Sequence, residues 1–162
     1  MLLIDIWGKT KEARSVYYDI TWTAFAGETI PEPVLKIYRI VREARDAAIA
    51  FVKQSFAEKR EIQGWQVDRV CRGVIEAAGY GRWFTHRTGH NIGREVHGNG
   101  ASMDDLEMHD DRQVIPGTCF SIEPGIYLPG RFGTRSEVDV ALLPSGPEVT
   151  PITPQTDLVL AP

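Results

Sequence analysis

Four acidic residues spread from one end of the chain to the other each sit in sequence that reads as a half-buried strand. Asp5 lies in Leu2 to Trp7, Asp19 in Val16 to Trp22, Glu123 in Cys119 to Gly125 and Glu137 in Gly133 to Val140. Each is flanked by β-branched, aromatic or aliphatic residues, so strand formation is expected to bury the acid. Burying one unpaired carboxylate costs several kcal/mol, and carboxylates brought together also repel. A fold that accommodates all of them needs a shared pocket and a source of positive charge. Two divalent cations balance four carboxylates, and a neutral imidazole adds a nitrogen ligand without disturbing that balance. Such an oxygen-rich set with one nitrogen suits Mn²⁺, Co²⁺, Fe²⁺ or Zn²⁺.

An imidazole source is present. The stretch His86 to His97 holds three of the chain's four histidines, at 86, 90 and 97, spaced by Gly89 and Gly93. Each glycine costs a helix about 1 kcal/mol relative to alanine, so a loop or irregular strand is expected there. Alone, an H-x3-H spacing reads equally well as a solvated loop. The acidic partners favour the metal reading.

Asp5, Asp19, His90, Glu123 and Glu137, in that order, with His86 and His97 around the third and Ile122-Glu123-Pro124-Gly125 around the fourth, resemble the ligand signature of the pita-bread metallopeptidases. That family includes Xaa-Pro dipeptidases (prolidases), Xaa-Pro aminopeptidases and methionine aminopeptidases. The resemblance implies an α+β fold with a curved, mostly antiparallel sheet and helices on its outer face. It implies two divalent ions, with Mn²⁺ foremost and Co²⁺, Zn²⁺ or Fe²⁺ as alternatives. By the same resemblance Asp19 and Glu137 bridge the ions, Asp5 chelates one, and His90 with Glu123 completes the other. A metal-bridging hydroxide attacks the scissile carbonyl, Glu123 shuttles the proton, His97 donates to the oxyanion, His86 orients the substrate and Arg135 holds Glu137. The run Gly133-Thr134-Arg135-Ser136-Glu137 resembles the proline-specific branch, which implies peptide substrates with proline second. Trp7, Trp22, Ser136 and Val138 depart from the family pattern. A methionine-aminopeptidase activity and a non-catalytic peptide-binding role are the alternatives.

A chain of 162 residues with 43% hydrophobic and 25% charged content is expected to form one globular domain. Measured against the family, residues 1–162 resemble a C-terminal portion of the catalytic domain, one that is expected to be inactive on its own. A net charge of −4 without a basic run argues against nucleic acid as a partner. No apolar run approaches the ~20 residues that span a bilayer. Cys71 and Cys119 lack a CxxC spacing and read as reduced thiols of a cytoplasmic protein. Relatives often form homodimers, and the resemblance admits one here.

Along the chain, strands are predicted at Leu2 to Trp7 and Ser15 to Ala26, paired antiparallel so that the two aspartates meet. Pro31 and Pro33 open a helix to about Ala57. A second helix is predicted from Gln66 to Ala78, stopped by Gly79. Both helical stripes read as core. His109 reads as a surface histidine, Tyr127 to Arg131 as a hairpin arm, and Asp157 to Leu160 as a last strand.

Overall fold

The computed structural model describes residues 1–161. Nine strands and two helices follow in the order β1 (Leu2–Gly8), β2 (Tyr18–Ala26), α1 (Glu32–Ala57), α2 (Gly64–Ala77), β3 (Asn91–Ile92), β4 (Thr118–Ile122), β5 (Gly125–Leu128), β6 (Phe132–Arg135), β7 (Val138–Leu143), β8 (Gly146–Thr150) and β9 (Val159–Ala161). The fold is α+β, and its pairings are antiparallel except for β9, which runs parallel to β2.

The strands form three pieces, β1-β2-β9, β3-β4-β7-β8 and the β5-β6 hairpin. α1 buries Ile37, Ile40, Val41, Ala44, Ala48 and Val52 along one stripe. α2 adds Val67, Cys71 and Ile75, and these share one buried core with the α1 stripe and with Phe120, Ile122, Val138 and Val140 in the middle of the four-stranded piece. Gly79 has φ +84°, a left-handed conformation that ends α2 as its position in the sequence predicts.

β2 links the pieces. The carbonyl of Thr21 accepts from the Glu137 amide at 3.3 Å, and Thr23 Oγ1 donates to the Arg135 carbonyl at 2.6 Å. The tail completes the join: Gln155 Oε1 accepts from the Thr23 amide at 2.9 Å and its Nε2 donates to the Thr23 carbonyl at 2.6 Å, mimicking a neighbouring strand. Buried Arg45 of α1 donates to Ser136 Oγ at 2.7 Å and to the Gln155 carbonyl at 2.8 Å.

Two expectations change, and one hairpin is added to them. The second strand begins at Tyr18 rather than Ser15. β1 is exposed along its whole length, so Asp5 is not buried by strand formation: its strand is a sheet edge with no layer packed outside it. The β7–β8 hairpin was hidden by Pro147, which pairs with Leu142 on an edge strand, the place in a sheet that tolerates proline. Among the described residues no helix is long and apolar enough to cross a membrane.

Candidate metal centre

The β1–β2 register sets Asp5 opposite Thr21 and Trp7 opposite Asp19. Cross-strand partners share a face, so the two aspartates are diagonal neighbours, about 7–8 Å apart at the backbone. Glu123 and Glu137 do not lie inside strands. Glu123 follows β4 directly and is succeeded by Pro124; Glu137 occupies the break between β6 and β7. Each is set by its own backbone: the Glu123 amide donates to the Thr88 carbonyl at 2.7 Å, and the Glu137 amide to Thr21.

The histidine loop lies beside β4. His90 donates its amide to Ser121 Oγ at 3.0 Å and accepts from the Ser121 amide at 2.9 Å. A Cβ on Gly89 would fall 1.9 Å from the Ser121 carbonyl oxygen, so only glycine allows the loop to approach this closely.

These elements converge on a cavity of about 390 Å³ whose walls include Asp5, Asp19, His86, His90, His97, Glu123, Arg135 and Glu137. Every candidate site residue named from the sequence faces it. One ligand atom each from Asp19, His90 and Glu137 lies within 4.8 Å of the others. His90 Nδ1 lies 3.2 Å from the Asn91 carbonyl, while Nε2 stands 3.4 Å from both Asp19 Oδ2 and Glu123 Oε1. With Nδ1 donating to that carbonyl, the Nε2 lone pair and the carboxylates are all electron donors facing one another. A cation is the partner such a set fits.

The electrostatics record the same strain. Burial, then the charges of Glu123 and Asp19, pushes the Glu137 carboxyl up to about 9. Burial also raises Glu123, although His90 and Arg135 oppose it. At His90, burial lowers the imidazole pKa, but with no cation present a proton on Nε2 is favoured by Asp19 and by the Glu123 charge, so the net direction is up. His97, edge-on to His90 at 4.3 Å between ring centres, is lowered by burial and by its neighbour. His86 is lowered chiefly by burial; its Nε2 lies 2.8 Å from the Tyr127 hydroxyl.

Arg135 departs from its expected partner. It pairs with Asp5 and stands 3.7 Å from Glu123 Oε2. Its hydrogen-bonded link to Glu137 runs through Thr21, whose hydroxyl accepts from Arg135 Nε at 2.9 Å and donates to Glu137 Oε2 at 2.5 Å. Thr21, Ser121 and Tyr127 therefore belong to the site, and sequence reasoning passed over them. The first two carried a signal, each lying two residues along an extended segment from a candidate ligand. Tyr127 carried none, because its place depends on Gly125 and Gly133, where a Cβ would fall 2.4 and 2.7 Å from the tyrosine side chain. Buried Asp139 was also missed: its Oδ2 accepts from the Asp19 amide at 2.9 Å, and burial raises the carboxyl to about 7. His109, expected at the surface, is there, paired with Asp105 and stacked on Trp65.

The sequence pattern of Metallopeptidase family M24 matches residues 1–143. The Xaa-Pro dipeptidase of Lactobacillus helveticus is 43% identical over 102 residues, which is 63% of this chain and 25% of that protein. The solved dipeptidase of Pyrococcus horikoshii OT3 superimposes with TM-score 0.81 at 32% identity, over 98% of this chain and 40% of that one. A recombinant prolidase from Thermococcus sibiricus gives TM-score 0.76 at 35% identity, over 90% and 36%. The chain thus spans a quarter to two fifths of the length of these relatives.

Proposed function

Because the chain belongs to metallopeptidase family M24, we propose that it carries the metal-binding face of a peptidase that cleaves Xaa-Pro bonds. Asp5, Asp19, His90, Glu123 and Glu137 hold two divalent ions, Mn²⁺ foremost. The convergence of Asp19, His90 and Glu137 within 4.8 Å, with Asp5 and Glu123 on the same cavity, is the observation that carries this reading.

Divalent ions held there would polarise the scissile carbonyl and lower the pKa of a water. The chain's own groups do the rest. Glu123 receives the proton of the attacking water and passes it to the leaving nitrogen. Its Oε1 accepts from Ser121 at 3.1 Å, which limits its rotation. His97, kept toward its neutral form, offers an N–H to the oxyanion. His86, steadied by Tyr127, orients the peptide. Arg135 ties Asp5 to Glu123, so acids from two sheets move together. Trp7 and Val96 give an otherwise polar cavity an apolar side that suits a proline ring. The names of the similar dipeptidase and prolidase support the same substrate class.

The metal part is tested by titrating the purified chain with Mn²⁺ in a calorimeter: two ions are expected to bind, and Asp19→Asn to abolish at least one. The substrate part is tested by offering Xaa-Pro and Met-Ala peptides side by side in the presence of Mn²⁺. Preference for Met-Ala rejects the proline assignment, and activity retained by Glu123→Gln rejects the proton-transfer role.

A further inference from the structure

Beneath the histidine loop, away from the cavity, lies a buried ion pair that this mechanism does not use. Asp68 and Arg72, one turn apart on α2, are both buried, and Arg72 donates to both oxygens of Asp68 at 2.7 and 2.9 Å. The pair's other hydrogen bonds all go to one short segment. Arg72 donates to the Phe84 carbonyl at 3.0 Å and to the His86 carbonyl at 2.9 Å. Asp68 Oδ1 accepts from the Thr88 amide at 2.9 Å. The Arg72 guanidinium also lies over the Phe84 ring at 4.2 Å, and Phe84 meets His86 edge-on at 5.2 Å.

Thr88 passes the constraint onward. Its amide is held by Asp68 and its carbonyl accepts from the Glu123 amide at 2.7 Å. One helix turn therefore holds the backbone at His86 and Thr88 on one side of the centre and, through Thr88, at Glu123 on the other. We infer that Asp68 and Arg72 are positioning residues that set the height of the histidine loop and of Glu123 above α2, coupling the helix to the metal centre. A planar guanidinium is required, because only its fork reaches two carbonyls while also binding a carboxylate.

The inference rests on the metal reading only for its second readout. Arg72→Lys keeps the charge and loses the fork. In the full chain, amide exchange at Thr88, Gly89 and His90 is expected to speed up about tenfold or more, while Val41 and Ala48 in α1 stay at their wild-type rates. Mn²⁺ affinity is expected to fall about 10–100-fold, as for other groups that orient ligands. Should Arg72→Lys fail to fold, the double variant Asp68→Leu with Arg72→Met removes both buried charges together and is measured in the same way. Loop exchange at the wild-type rate overturns the inference. So does acceleration by the same factor in the loop and in α1, which would mean a general loss of stability. A wild-type chain that binds no Mn²⁺ counts against the metal reading alone, and the exchange comparison still decides this one.

Discussion

The two sheets that meet at the cavity hold their acids on different terms. β4 and β7 form the middle of the core, with Phe120, Ile122, Val138 and Val140 almost wholly buried in the cluster that also takes in the helical stripes. β1 is exposed from end to end, and its outward residues Ile4 and Ile6, with Trp22 of β2, stand more than a third exposed. Glu123 and Glu137 inherit their positions from packed neighbours. Asp5 depends on strand register and on its pairing with Arg135. A centre assembled from one rigid wall and one lightly supported wall should respond unequally to damage on its two sides.

The largest effect is expected from Phe120→Ala in β4, which removes a fully buried ring and should cost about 3–5 kcal/mol in urea denaturation. A loss below 1 kcal/mol would erase the contrast. Next comes the pH dependence of the metal-free chain. Glu137 is raised to about 9 and Asp139 to about 7, so the folded state keeps protons that the unfolded chain releases above about pH 5. The folded state binds more protons in that window, and stability should therefore fall as pH rises from about 5, with Asp139 contributing up to about pH 7 and Glu137 up to about pH 9, by up to about 1.4 kcal/mol per unit for each group still holding its proton. Glu137→Gln should flatten the slope, and Mn²⁺ should oppose it.

Third, Asp5→Asn on the exposed strand is expected to weaken Mn²⁺ binding about tenfold while leaving one ion bound. His90→Ala, on the packed side, should lose an ion outright, and calorimetric stoichiometry separates the two. The smallest effect belongs to Ile6→Thr on the outer face of β1, expected within about 0.5 kcal/mol by thermal denaturation because the side chain is mostly in water already. A larger loss would show that this face is covered in solution.

Much of this was legible from local pattern. The two-residue strand period puts Asp19, Thr21 and Thr23 on one face, and all three are buried there. The α1 stripe and the glycine stop of α2 followed from helical periodicity. What could not be read were contacts between groups distant in the chain. Arg135 was assigned to its sequence neighbour Glu137, yet it turns to Asp5, 130 positions away. The α2 stripe was read as apolar core, yet Asp68 and Arg72 lie within it, an i, i+4 pair that any helical wheel displays but whose purpose appears only once the loop is folded onto it.

From the sequence alone came the donor types, their order, and the demand that buried acids share a pocket with cations, because side-chain chemistry and strand or helix period are local properties. Which donor faces which, how deeply each is buried, and what props each in place were decided by tertiary structure. Those depend on register between strands and on a helix packing beneath a loop, and no residue carries that information in its immediate neighbours.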